Sequence, residues 1–304
     1  MSPRSSFHPS TFQPFLLSTL PLHFTTQLLH RTTPNTLPNS TITPLSHLVG
    51  YQNRAANKDG WNLVCGTFLT VGKDGSAMTL ADVKANDDWD LTNDTIQFLN
   101  AGGGTRVRED GYTAEYTYVN AEYADMLGCE VGWYQFDALN AGEDFLTPEA
   151  GDDFSFGAGA VVQVGTPTAG LLCAGEVAKG AQTVIAEKSG WNIMGNPLPI
   201  NMTLADVTAN DDWDLTNDTI QFLNAGGGTK VREDGYTAEY TFVNAEYADM
   251  LGCEVGWYQF DALNAGEDFL TPDEEDNAVT AGAAFVAQTG STKAGIQFKA
   301  AIAE

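Results

Sequence analysis

The run that opens Met78-Thr79-Leu80-Ala81-Asp82 and closes Phe145-Leu146-Thr147-Pro148 returns 124 residues later as Met202 to Pro272. Three of its 71 positions differ: Lys84 to Thr208, Arg106 to Lys230 and Tyr118 to Phe242. A copy of this length points to tandem domains, each folding as a unit, and not to a short solenoid repeat. Inside the run, Tyr112, Ala114, Tyr116 and Tyr118 fall on one face and Thr113, Glu115, Thr117 and Val119 on the other. Period two over eight residues is the pattern of a strand. Thr95-Ile96-Gln97-Phe98-Leu99 reads as a second strand and Val131 to Phe136 as a third. Ala101-Gly102-Gly103-Gly104 is a loop, and Ala121 to Leu127 makes one or two helical turns before Gly128.

Outside the copied run the two units still align but have drifted. Gly60-Trp61-Asn62-Leu63-Val64 answers Gly190-Trp191-Asn192-Ile193-Met194, and Ala169-Gly170-Leu171 answers Ala294-Gly295-Ile296. Gly50 to Arg54 reads as a first strand. Ala160 to Val164 and Gly170 to Cys173 read as a closing hairpin split by Thr166-Pro167, and Gly72-Lys73-Asp74-Gly75 as a longer loop peculiar to the first unit. Strands every eight to twelve residues without a sustained helical period predict an all-β chain. The expected form is two tandem antiparallel β-sandwich, Greek-key-like domains over 48–178 and 181–304. The linker between them is short, so the domains are not expected to tumble independently.

Residues 1–47 are a different population. They hold all four histidines and seven of the twelve prolines, and the first acid in the chain is Asp59. An acid-free, Ser/Thr-rich segment with Arg4 and Arg31 reads as a disordered upstream extension, an export leader or a transit peptide.

The net charge of −26 is concentrated in the two copied runs, with 14 acids against three bases in the first and 14 against two in the second. Such a surface repels nucleic acid and anionic lipid, and no stretch is long and apolar enough for a membrane span. Histidine is absent from Leu48 onward, which removes His-dependent nucleophilic triads, imidazole bases and His-bearing zinc sites from both domains.

Asp88, Asp90 and Asp94, with copies Asp212, Asp214 and Asp218, form an oxygen-rich loop suited to calcium, although the EF-hand spacing is missing; the alternative is a solvated acidic loop. Trp89, Trp133, Trp213 and Trp257 are candidates for stacking on sugar rings, against the alternative of core packing. Cys65 and Cys173 belong to the first unit only, since Gly195 and Phe298 hold the aligned places. Their joint absence from the second unit suggests a disulfide, with two separate buried thiols as the alternative.

The Gly190-Trp191-Asn192-Ile193-Met194-Gly195-Asn196-Pro197 opening and the Ala281-Gly282-Ala283-Ala284-Phe285-Val286-Ala287-Gln288 close resemble secreted β-sandwich modules of Gram-negative surface and extracellular proteins. The first unit departs from that pattern, with Cys65-Gly66-Thr67 in place of Gly-Asn-Pro. The resemblance implies an exported, non-catalytic module and supplies no site residues. The expectation is a secreted or cell-surface structural or adhesive protein without a cofactor, its partners another copy of itself or an extracellular glycan. A carbohydrate-binding protein is the rival reading and a glycoside-active enzyme the third.

Overall fold

The computed structural model describes residues 49–299, save 57, 71–75, 144, 151, 153, 267 and 268. The leader at 1–47 and the 72–75 loop lie outside the described residues. Strands account for 39% of the described residues and helices for 13%, so the β class holds, in small antiparallel sheets.

The first repeat runs β1 (Val49–Ala55), β2 (Gly60–Cys65), β3 (Lys84–Ala85), β4 (Thr95–Gln97), β5 (Glu115–Val119), α1 (Ala121–Leu127), β6 (Gly132–Gln135), α2 (Phe136–Ala141), β7 (Gly159–Val164) and β8 (Gly170–Glu176). The second runs β9 (Gln182–Ile185), β10 (Gly190–Gly195), β11 (Met202–Thr203), β12 (Val207–Ala209), β13 (Thr219–Gln221), β14 (Glu239–Val243), α3 (Ala245–Leu251), β15 (Gly256–Gln259), α4 (Phe260–Ala265), β16 (Ala278–Val279), β17 (Ala284–Thr289) and β18 (Gly295–Phe298). Each repeat makes a five-stranded sheet, β2-β7-β4-β5-β6 or β10-β17-β13-β14-β15, and a three-stranded one, β1-β8-β3 or β9-β18-β12. The arrangement is propeller-like with four blades, and not two cleanly separated sandwiches.

The sequence expectation fails at the closing hairpin. β7 pairs with β2 and β4, whereas β8 pairs with β1 and β3, so the Thr166-Pro167 turn carries the chain from one sheet to the other. One buried cluster then takes side chains from both sheets of the first repeat: Ile96, Tyr116, Tyr118, Trp133 and Val162 from the larger, Ala85, Leu171 and Cys173 from the smaller. The second repeat repeats this with Ile220, Tyr240, Phe242 and Trp257 against Val207, Ile296 and Phe298, and it also takes in Phe156 from the first repeat.

Helix α1 starts where Asn120 accepts the Tyr123 N–H and ends at Gly128, whose φ of 74° is left-handed. Helix α2 was not legible as a helix. Gln135 ends β6 and its side chain accepts the Ala138 N–H, so the strand turns directly into a helix at Phe136. The two helices cover the second face of β5 and β6, forming a smaller cluster of Val119, Ala124 and Tyr134 with Tyr123 and Leu139. Strand β5 is therefore buried on both faces from Tyr116 to Val119, which a one-faced alternation does not reveal.

Candidate functional site

Three duplicated arrangements bring polar or aromatic groups together. The first is the acidic loop. Asp90 Oδ1 accepts the Thr92 N–H at 2.9 Å and the Thr92 hydroxyl at 2.8 Å, while Oδ2 accepts Asn93 Nδ2 at 2.6 Å. Those bonds, the Thr92 amide first, hold the Asp90 carboxyl below its usual range. Asp94 lies beneath, fully buried. One of its oxygens accepts the Asp90 N–H at 2.8 Å and the other the Gly165 N–H at 2.8 Å, tying the loop to the β7–β8 turn. Burial pushes its carboxyl up, against the pull of those two amides. Asp214 and Asp218 repeat every one of these contacts, closing on Gly290. Each loop and turn flank an open cleft, lined by Asp90, Asn93, Asp94 and Thr166 in one repeat and by Asp214, Asn217, Asp218 and Ser291 in the other.

Of the calcium candidates, Asp212, Asp214 and Asp218 line one cleft together, while Asp90 and Asp94 line the other without Asp88. Asp88 and Asp212 stand exposed on the preceding turn, and the oxygens of Asp90, Asp94, Asp214 and Asp218 are engaged by their own loops. Among the described residues no three acids, cysteines or histidines converge on a point where an ion could sit.

The sugar-stacking expectation for Trp89, Trp133, Trp213 and Trp257 is corrected, since all four are buried. Trp89 meets Trp133 edge to face at 5.3 Å between ring centroids, and Trp213 meets Trp257 at 5.5 Å. Their indole N–H groups are satisfied inside the core, Trp133 by the Val83 carbonyl at 2.8 Å and Trp89 by Thr117 Oγ1 at 3.2 Å. A buried Trp with a partnered N–H is a core residue. The disulfide expectation fails too. Cys65 and Cys173 are free thiols on strands of different sheets, and burial pushes Cys65 up to about 12 and Cys173 up to about 11.

The second arrangement was missed in the sequence. Arg108 Nη1 donates to the Tyr116 hydroxyl at 2.6 Å and to the Thr147 carbonyl at 3.0 Å, and its other edge pairs with Asp110. Tyr116 in turn donates to Asp152, which also takes Arg106. The second repeat holds Arg232, Tyr240 and Asp276 in the same order, with Lys230 reaching Asp276 at 2.8 Å. Burial first, then the bond to the acid, raises both tyrosines far above their ordinary value. Both phenols and both acids are buried, and in the first repeat the network clamps the 106–114 ribbon, Thr147 and Asp152 to β5. Asp152 and Asp276 lie beyond the copied run yet keep its 124-residue offset. Arg106 and Arg108 supply two of that run's three bases, the one signal in the sequence that could have marked the network.

The third arrangement joins the repeats. Trp61 lies against Gly227 and Trp191 against Gly103, the backbone approach being so close that a Cβ on either glycine would come within 2.7 Å of the indole. The Trp61 N–H donates to the Ala225 carbonyl at 3.0 Å, and Trp191 N–H to Ala101 at 2.9 Å. Lys58 Nζ reaches the Leu223 carbonyl at 2.8 Å, and Lys188 Nζ reaches Leu99 at 2.7 Å. Nearer the centre, the Cys65 N–H donates to Gly282 and the Gly195 N–H to Gly157. Each of these contacts has its reciprocal, as across a twofold axis. Comparison with protein-family models, curated proteins and solved structures finds no match to this chain.

Proposed function

We propose that the chain is a non-catalytic structural or adhesive module of an exported or surface protein, in which each repeat is a face-to-face β-sandwich and the tandem works as one rigid acidic body. The sandwich reading is supported by the single buried cluster that each pair of sheets shares. The observation that carries the functional reading is the reciprocal seat of Trp61 on Gly227 and of Trp191 on Gly103. It fixes two copies of one surface at a set distance and orientation, which multiplies weak contacts by raising the effective concentration of the second. The groups that could do chemistry are turned to bracing: the Asp90 and Asp94 oxygens hold a loop, and Tyr116 and Asp152 hold a ribbon.

The test is location and display. An epitope-tagged chain made in its source cells should appear in the medium, or on intact cells where external protease removes it. A chain that stays protease-protected inside intact cells refutes the reading.

A further inference from the structure

The copied run ends α1 and enters β6 with apolar side chains in solvent. Met126 is 74% exposed, Leu127 42%, Val131 49% and Phe145 40%, and the second repeat repeats them at Met250, Leu251, Val255 and Phe269. Phe145 stacks edge-on upon Tyr134 at 5.5 Å and Tyr134 donates to the Glu130 carbonyl beside Val131, while Met126 and Leu127 close α1 only a few residues before Glu130. Every charged residue on α1, on the turn after it and on α2 is an acid: Glu122, Asp125, Glu130 and Asp137, with Glu143 just beyond. The chain has no Lys or Arg between Arg108 and Lys179, nor between Arg232 and Lys293.

We propose that this face, present once per repeat, docks a cationic amphipathic segment of another protein, whose apolar side chains cover Met126, Leu127 and Val131 while its Lys or Arg residues meet Glu122, Asp125 and Glu130. Exposed apolar side chains grouped this way mark contact surfaces, and an exclusively acidic rim selects a basic partner. A second copy of the chain is disfavoured as occupant, because pairing the face with itself sets each acid against its own copy. The inference deepens the reading of the tandem as a displayed, non-catalytic body and rests on it, since the two faces would give bivalent capture.

The test uses the full chain and a fluorescent fourteen-residue Lys/Leu peptide with helical amphipathic spacing, titrated at physiological salt. The control is a peptide of identical composition with the pattern scrambled. Two peptides should bind per chain, and the scrambled peptide at least about tenfold more weakly. Met126→Ser with Val131→Ser, both exposed positions, should leave one site; adding Met250→Ser and Val255→Ser should leave none. Equal binding of the scrambled peptide, or two sites surviving in the first variant, overturns the proposal. So does concentration-dependent self-association of the wild-type chain that the substitutions abolish, which would make a second copy the occupant. A chain found outside the cell that binds no peptide refutes this inference alone; one that binds yet stays inside intact cells refutes only the display reading.

Discussion

Gly103→Ala is the sharpest probe of the packing between repeats. Gly103 has φ of +86°, and a Cβ built on it lies 2.7 Å from Trp191 Cδ2 and 2.8 Å from Cε3. Gly111 offers an internal control in the same repeat, with φ of +92° and nothing within 4 Å of an added Cβ. Both substitutions carry the left-handed backbone penalty, about 1–2 kcal/mol. Only Gly103→Ala also forces an atom into a packed indole, and overpacking costs about 1–3 kcal/mol more. The indole cannot slide away freely. The backbone N–H of Trp191 is held to the Ala101 carbonyl, and the neighbouring Lys188 Nζ is held to the Leu99 carbonyl just before the same loop. Urea denaturation followed by far-UV circular dichroism should therefore place Gly103→Ala about 1–3 kcal/mol below Gly111→Ala. Removing the ring with Trp191→Ala should close that gap in a double-mutant cycle. If Gly103→Ala and Gly111→Ala unfold at the same urea concentration, Trp191 does not sit on the loop and the rigid tandem has lost its support.

Three further outcomes concern the charged groups and the thiols. Arg54→Leu should hold or raise the melting temperature, because the Nε of Arg54 is buried without a partner and no carboxylate among the described residues neutralises it; a loss above about 2 kcal/mol would mean that its bond to the Ala281 carbonyl dominates. Native alkylation should label Cys129 and Cys253, which are half-buried, and spare Cys65 and Cys173, whereas unfolding without reductant should release all four thiols; a count of two under denaturing conditions would restore the disulfide. The Arg108 side chain holds the Asp110 carboxyl below its ordinary range, and Arg232 does the same for Asp234, so their contribution is fully present above the unfolded value near 4 and is lost as pH falls through the depressed one. Asp110→Asn with Asp234→Asn should flatten the acid limb of the stability profile, and an unchanged limb would show that those pairs contribute nothing.

The elements fixed by neighbours in the chain were legible. Helix α1 is bounded by a capping Asn and a left-handed Gly, and the Gly102–Gly104 loop is a turn, because both depend on backbone geometry within a few residues. What could not be read depends on partners far away. The alternation from Tyr112 to Val119 implies one wet face, yet α1 and α2 roof the second face of β5, and the aromatic residues offered as ligand platforms are core. The clamp of Arg108, Tyr116 and Asp152 spans 44 residues, and nothing in its spacing announces it. The Asp-rich loop was recognised, but its role was not. Whether a carboxylate faces solvent, an ion or an amide is decided by the β7–β8 turn that Asp94 reaches 71 residues later.

The junction shows what a duplication permits that a homodimer does not. In a dimer of identical chains, one residue must serve both halves of a twofold contact. Here each half is encoded separately. Gly282 faces the Arg54 guanidinium, its ideal Cβ 2.5 Å from Nη1, while at the reciprocal place Gly157 faces the methyl groups of Val184. Cys65 gives its thiol to the Asn196 carbonyl at 3.5 Å, and Gly195 stands where its counterpart would be. The glycine loops that receive Trp61 and Trp191 lie inside the copied run, and both are the same; the strands that dock on them lie outside it and differ. The two repeats therefore share an acceptor loop and have separate docking edges, so either edge can change without changing the other.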